Sequence, residues 1–135
     1  MPLVIDASVV AAWHFPDERS AQGDSIMARL ESDSARMPAL WWFEVRNVLL
    51  IGERRGRTMR EYSGRFLDFL RGLPIEIAPL PEELAVLSLA RRHQLSFYDA
   101  AYLELAQRER IALATLDRAL ARAAVAEGVE LIGVV

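Results

Sequence analysis

The chain reads as an α/β domain built on a mainly parallel sheet. Short apolar runs alternate with segments of helical spacing along most of its length, the pattern of strand–helix–strand crossovers. Most of those runs are continuous rather than alternating, as in strands covered by helices on both faces. Size agrees: 135 residues, 53% hydrophobic and 26% charged, make one domain over residues 1–135 whose core needs no staples.

Leu3 to Ile5 is the first strand, ended by Asp6. Ser8 to Phe15 has helical spacing, and Pro16 stops it, since proline in a helix interior removes a hydrogen bond and clashes. Asp17 to Glu31 reads as a second helix, weakened by Gly23. Arg36 to Pro38 is a short strand; Leu40 to Arg55 is a long helix closed by Gly56. Thr58 to Leu70 is a further helix, ended by Gly72 and Pro74, and Ile75 to Ala78 a strand. Pro81 to His93 opens on Pro-Glu-Glu, a favourable first turn. Ser96 to Arg110 carries an N-cap pattern in Ser96 and Asp99, and Ile111 to Thr115 is an apolar strand. Asp117 to Glu127 is the last helix, stopped by Gly128. Val129 to Val134 is the last strand.

Composition excludes whole classes of chemistry. There is no cysteine, hence no disulfide, thiolate zinc site, iron–sulfur ligation or thiol nucleophile. The histidines, His14 and His93, number 2, too few for a three-histidine metal centre. All 16 basic residues are arginine, which removes the Walker A lysine, the Schiff base and the Ser–Lys dyad. A dinucleotide glycine fingerprint and a nucleophile elbow are absent. A haloacid-dehalogenase-type phosphatase needs a second aspartate where Ser8 stands, and a response-regulator receiver needs a lysine. The net charge of −3 does not suit a nonspecific DNA-coating protein. The start, Met1 to Asp6, does not read as a signal peptide, and no run reaches membrane-span length; the expected location is cytoplasmic.

The carboxylates fall in a pattern. Crossover helices run back against the strands of a parallel sheet, so helix N-termini and strand C-termini share one edge, where ligands bind. Asp6 ends the first strand, and Asp117 follows the strand that ends at Thr115. Glu44 lies in the second turn of its helix and Asp99 in the first turn of its own. All four map to that edge. On a helical wheel Glu44 shares a stripe with Leu40, Trp41, Asn47, Val48 and Ile51, and Asp99 with Tyr102, Leu103 and Ala106. Both stripes otherwise face the core. Two carboxylates about 4 Å apart repel by roughly 4 kcal/mol at an effective dielectric of 20. Such a cluster asks for a divalent cation, and all-oxygen ligation favours Mg²⁺ or Mn²⁺ over zinc. Each acid also has a plainer reading. Asp6 and Asp117 are good helix caps, Asp99 suits a capping box with Ser96, and Glu44 could pair with an arginine such as Arg91.

Four stretches resemble the PIN-domain family of VapC type. They are Leu3 to Val10 with Trp13, Pro38-Ala39-Leu40 with Phe43-Glu44-Val45 and Asn47-Val48-Leu49, Ser96 to Tyr102, and Ala114 to Asp117 with Leu120. The ordered set spans nearly the whole chain. The resemblance implies an α/β/α domain on a five-stranded sheet of order 3-2-1-4-5. It implies an Mg²⁺-dependent endoribonuclease that leaves 5′-phosphate and 3′-hydroxyl ends, usually the toxin of a type II toxin–antitoxin pair. Asp6, Glu44, Asp99 and Asp117 match the family's acidic, metal-holding site, and Thr115 the hydroxyl beside it. The family also implies a homodimer inhibited by a small antitoxin. Ala12 stands where many relatives carry a lysine. The rival reading is a catalytically silent PIN-like module that acts through a protein partner.

Other residues weigh less. Arg118 and Arg122 share a face of the last helix beside the acids and are the candidates for RNA phosphate contact. The cluster Arg54, Arg55, Arg57 and Arg60 reads chiefly as a solvated helix end. His14 and His93 read as structural. Trp13, Trp41, Phe66 and Phe69 read mainly as packing, whereas Trp42, opposite Glu44 with Leu49 nearby, could meet a second subunit or an antitoxin helix.

Overall fold

A computed structural model describes residues 1–132; the expected reach of the last strand to Val134 lies outside them. Five parallel strands, β1 (Leu3–Ile5), β2 (Ala35–Met37), β3 (Ile75–Ile77), β4 (Ala112–Ala114) and β5 (Leu131–Ile132), form one sheet of order β3-β2-β1-β4-β5. The mainly parallel expectation thus becomes wholly parallel. Central β1 and β4 are fully buried, which is why their residues form unbroken apolar runs. Edge strand β3 alternates Ile75, Glu76, Ile77 and is largely exposed.

Among the described residues seven α-helices connect the strands: α1 (Ala7–His14), α2 (Ala21–Arg29), α3 (Ala39–Arg54), α4 (Arg60–Arg71), α5 (Glu83–His93), α6 (Phe97–Glu109) and α7 (Arg118–Ala126). The expected single helix from Asp17 to Glu31 is in fact two pieces. Pro16–Glu18 is one 3₁₀ turn, Arg19 leaves helical geometry, and Ser20 restarts the chain by accepting the Gly23 amide at 3.0 Å. Gly23 is thus the third residue of a capped helix, not a weak point inside a longer one. Elsewhere the expected boundaries hold within a few residues.

The core stripe of α3 is Trp41, Val45, Leu49 and Gly52. Glu44 flanks it, half-buried, rather than sitting inside it. At Gly52 the backbone of α3 meets Phe15, whose ring would lie 2.6 Å from an added Cβ. Arg57, from the basic cluster, lies over that ring and pairs with Asp17 and Glu18. Helix α6 is buried over Ala100 to Ala106. It lies under the sheet centre and brings Asp99 to the strands' C-terminal edge.

Candidate metal centre

The register of β1 on β4 pairs Ile5 with Ala114, so the next residues, Asp6 and Thr115, stand side by side. Both are buried, Asp6 at 4% exposure and Thr115 at 0%. One Asp6 oxygen, Oδ2, accepts the Thr115 hydroxyl at 2.5 Å. The other, Oδ1, accepts the Ser8 hydroxyl at 2.5 Å and the amides of Ser8 and Val9 at 3.1 and 3.3 Å. Both hydroxyls are themselves tied to the β4–α7 turn. Ser8 Oγ accepts the Leu116 amide at 2.9 Å, and Thr115 Oγ1 accepts the Asp117 amide at 3.0 Å. The capping reading of Asp6 is therefore correct, and it is compatible with a site, because the same bonds fix the carboxylate's orientation.

Burial outweighs these donors. It raises the Asp6 carboxyl from 3.8 to about 6, with Ser8, Thr115 and Val9 pulling down and the Asp99 charge adding to the rise. Burial also raises Asp99, with Asp117 adding repulsion and Ser96 offsetting part of it. Glu44 is raised by burial and by Asp99, against a hydrogen bond from Tyr102. Asp99 thus feels or repels each of the other three acids. Asp117 caps α7, its Oδ1 accepting the Leu120 amide at 2.9 Å, while Ser96 caps α6 through the Asp99 amide at 3.0 Å.

Glu44 takes no arginine. Arg91 is not its partner; Tyr102 Oη donates to Glu44 Oε1 at 2.6 Å. Tyr102 is 1% exposed, and burial together with the Glu44 charge pushes its hydroxyl well above the usual tyrosine range. It stays a donor throughout the physiological range. Sequence reasoning noted Tyr102 beside Asp99 and Ser8 beside Asp6 without assigning either to the site. The signals were spacing: i+3 on the helix for Tyr102, and the i+2 hydroxyl after a strand-end aspartate for Ser8.

The donor set fits a hard divalent cation. Four carboxylates lie at one sheet edge, and burial raises the carboxyls of three of them, Asp6, Glu44 and Asp99. Among the described residues none of the four carries an ion pair, although the chain holds 16 basic residues. Nor, among the described residues, do three histidine or acidic side chains close into a ready cage. Mg²⁺, which keeps several waters and is bound through one or two carboxylates, does not need such a cage.

Arg118 and Arg122 lie exposed on α7, Arg118 directly after Asp117. His14 bonds Thr58 at 2.8 Å and packs on Phe15 and Phe66; His93 bonds Glu127 at 2.6 Å. Both are structural, as expected. The outer face of α3 differs from expectation in one residue. Leu49 is buried, and Trp42 is exposed instead with Phe43 and Leu50. With Tyr98 and Glu44 these line an open groove of about 800 Å³ next to the acids.

Similarity to known proteins agrees with this geometry. The PIN domain family model matches residues 3–126. Ribonuclease VapC3 of Pyrobaculum aerophilum is 33% identical over 126 residues, spanning 90% of this chain and 93% of that protein. Ribonuclease VapC3 of Mycobacterium tuberculosis is 32% identical over 121 residues, spanning 90% and 86%. The crystal structure of PAE2754 from Pyrobaculum aerophilum superposes with a TM-score of 0.71 at 25% identity, covering 91% of this chain and 84% of that one. FitAcB from Neisseria gonorrhoeae shares the fold, with a TM-score of 0.53 at 13% identity over 96% of each chain. Sheet order and these likenesses agree: the chain belongs to the PIN-domain family.

Proposed function

We propose that this protein is a metal-dependent endoribonuclease that hydrolyses RNA phosphodiester bonds, the toxin of a type II toxin–antitoxin module. The observation that carries the reading is the acidic edge itself: Asp6, Glu44, Asp99 and Asp117 gathered without a cation of the protein's own. Ribonuclease relatives that align over nine-tenths of the chain support the RNA substrate.

Asp6, Asp99 and Glu44 would hold Mg²⁺, or Mn²⁺ in its place, partly through water, and Asp117 would complete the set. When bound, the ion activates water and offsets charge at the scissile phosphate. The chain's own residues do the rest. Thr115 and Ser8 hold Asp6 in one orientation. Asp117, with Oδ1 committed to its helix cap, presents Oδ2. Arg118 and Arg122 take the RNA backbone, where arginine neutralises phosphate charge. The products carry 5′-phosphate and 3′-hydroxyl ends. The working form is a cytoplasmic homodimer held in check by a cognate small antitoxin. The exposed apolar side chains of α3 supply a surface for such association.

The direct test is RNA cleavage by the purified protein, freed of any small partner, with Mg²⁺ and with EDTA. Cleavage should require the metal.

A further inference from the structure

Among the described residues, the Tyr102–Glu44 contact is the single side-chain hydrogen bond that joins α3 to α6. It bridges the two helices that carry Glu44 and Asp99, whose like charges push them apart. The phenol is buried at 1% exposure, so its ring is fixed by packing and its hydroxyl has little freedom to seek water. It stands one turn after Asp99 on α6 and reaches Glu44 across 58 residues of sequence. It takes Oε1 of Glu44, while Oε2 accepts no hydrogen bond among the described residues. Glu44, moreover, flanks the core stripe of α3 and has neither a cap nor an arginine to hold it, unlike Asp6, which has four donors. A flexible glutamate that feels the Asp99 charge would otherwise turn away from it towards solvent.

We infer that Tyr102 is a positioning residue of the acidic site: its hydroxyl clamps one oxygen of Glu44, so that the other faces the cation shared with Asp99. The inference rests on the metal-site reading above. Bonds of this outer kind orient metal ligands, and losing one weakens metal affinity by about 10–100-fold.

The test is Mn²⁺ affinity of the full-length protein by electron paramagnetic resonance of the free ion. Tyr102→Phe keeps the ring and removes the clamp. Its affinity should fall about tenfold or more. The Mg²⁺ needed for half-maximal cleavage should rise in step, while the rate at saturating Mg²⁺ is largely kept. In a Glu44→Ala background, Tyr102→Phe should cause no further loss, because the clamp has nothing left to hold. A merely structural tyrosine would lower Tm and add its loss in either background. Should Tyr102→Phe fail to fold, 4-fluorophenylalanine at position 102 fills the volume of the phenol without its donor and should show the same weakening. Parent-like Mn²⁺ affinity in Tyr102→Phe, with binding lost in Asp99→Asn, overturns the role of Tyr102 alone. No Mn²⁺ binding by the parent protein overturns the metal site and this inference with it.

Discussion

Asp6 holds the sharpest conflict in the molecule: four donors converge on a carboxylate that burial has stripped of water. The rise from 3.8 to about 6 corresponds to about 3 kcal/mol between its protonation states. The folded protein therefore binds this proton more tightly than the unfolded chain. The stability Asp6 contributes is fully present below pH 3.8 and is lost as pH rises through about 6. In EDTA, urea unfolding should show Asp6→Asn gaining on the parent by up to about 3 kcal/mol between about pH 4 and pH 7.5. The same change should lower cleavage about 100-fold or more, since even outer partners of a metal ligand cost 10–100-fold. A carboxamide that leaves cleavage intact would remove Asp6 from the reaction. All four acids were legible at this scale because strand-end and helix-start positions in a parallel sheet leave few places for them to go. Tyr102 was only half legible: its i+3 spacing sets it beside Asp99, whereas its contact with Glu44 depends on how α3 and α6 pack.

At the scale of elements, α3 serves two faces. Its inner stripe meets Phe15 so closely at Gly52 that a methyl group there would overlap the ring. Gly52→Ala should cost about 1–3 kcal/mol, the usual cost of overpacking, measured as a lower urea midpoint at unchanged slope. Its outer face exposes Trp42, Phe43 and Leu50. If that face joins two copies, Phe43→Asp should give a monomer in sedimentation analysis with parent-like circular dichroism. A parent chain that sediments as a monomer would contradict that. Helix and strand identities followed from pattern; two details did not. The break at Arg19 and Ser20 was hidden because Asp17 to Glu31 carries helical spacing throughout, and only the Ser20 cap marks the restart. The direction of Leu49 was misjudged because it sits at the border of the core stripe, where one step around the helix separates buried from exposed.

For the whole molecule, the sheet gathers charge from four distant stretches of chain, and the free site stores their mutual repulsion. On the proposed metal site, a cation that relieves it would bind the folded state alone and stabilise it by linkage, about 2.7 kcal/mol at 100 times Kd. Mg²⁺ or Mn²⁺ should therefore raise Tm by several degrees, and the rise should vanish in Asp99→Asn, the acid coupled to the other three. The strand order was legible only through resemblance, since the apolar runs reveal parallel strands but not their neighbours. The measurement that bears most directly on the account is cleavage of total cellular RNA by the purified parent and Asp99→Asn proteins, each with Mg²⁺ and with EDTA. The account predicts cleavage by the parent in Mg²⁺ alone and none by the variant. Cleavage that persists in EDTA, or that Asp99→Asn retains in full, would contradict it.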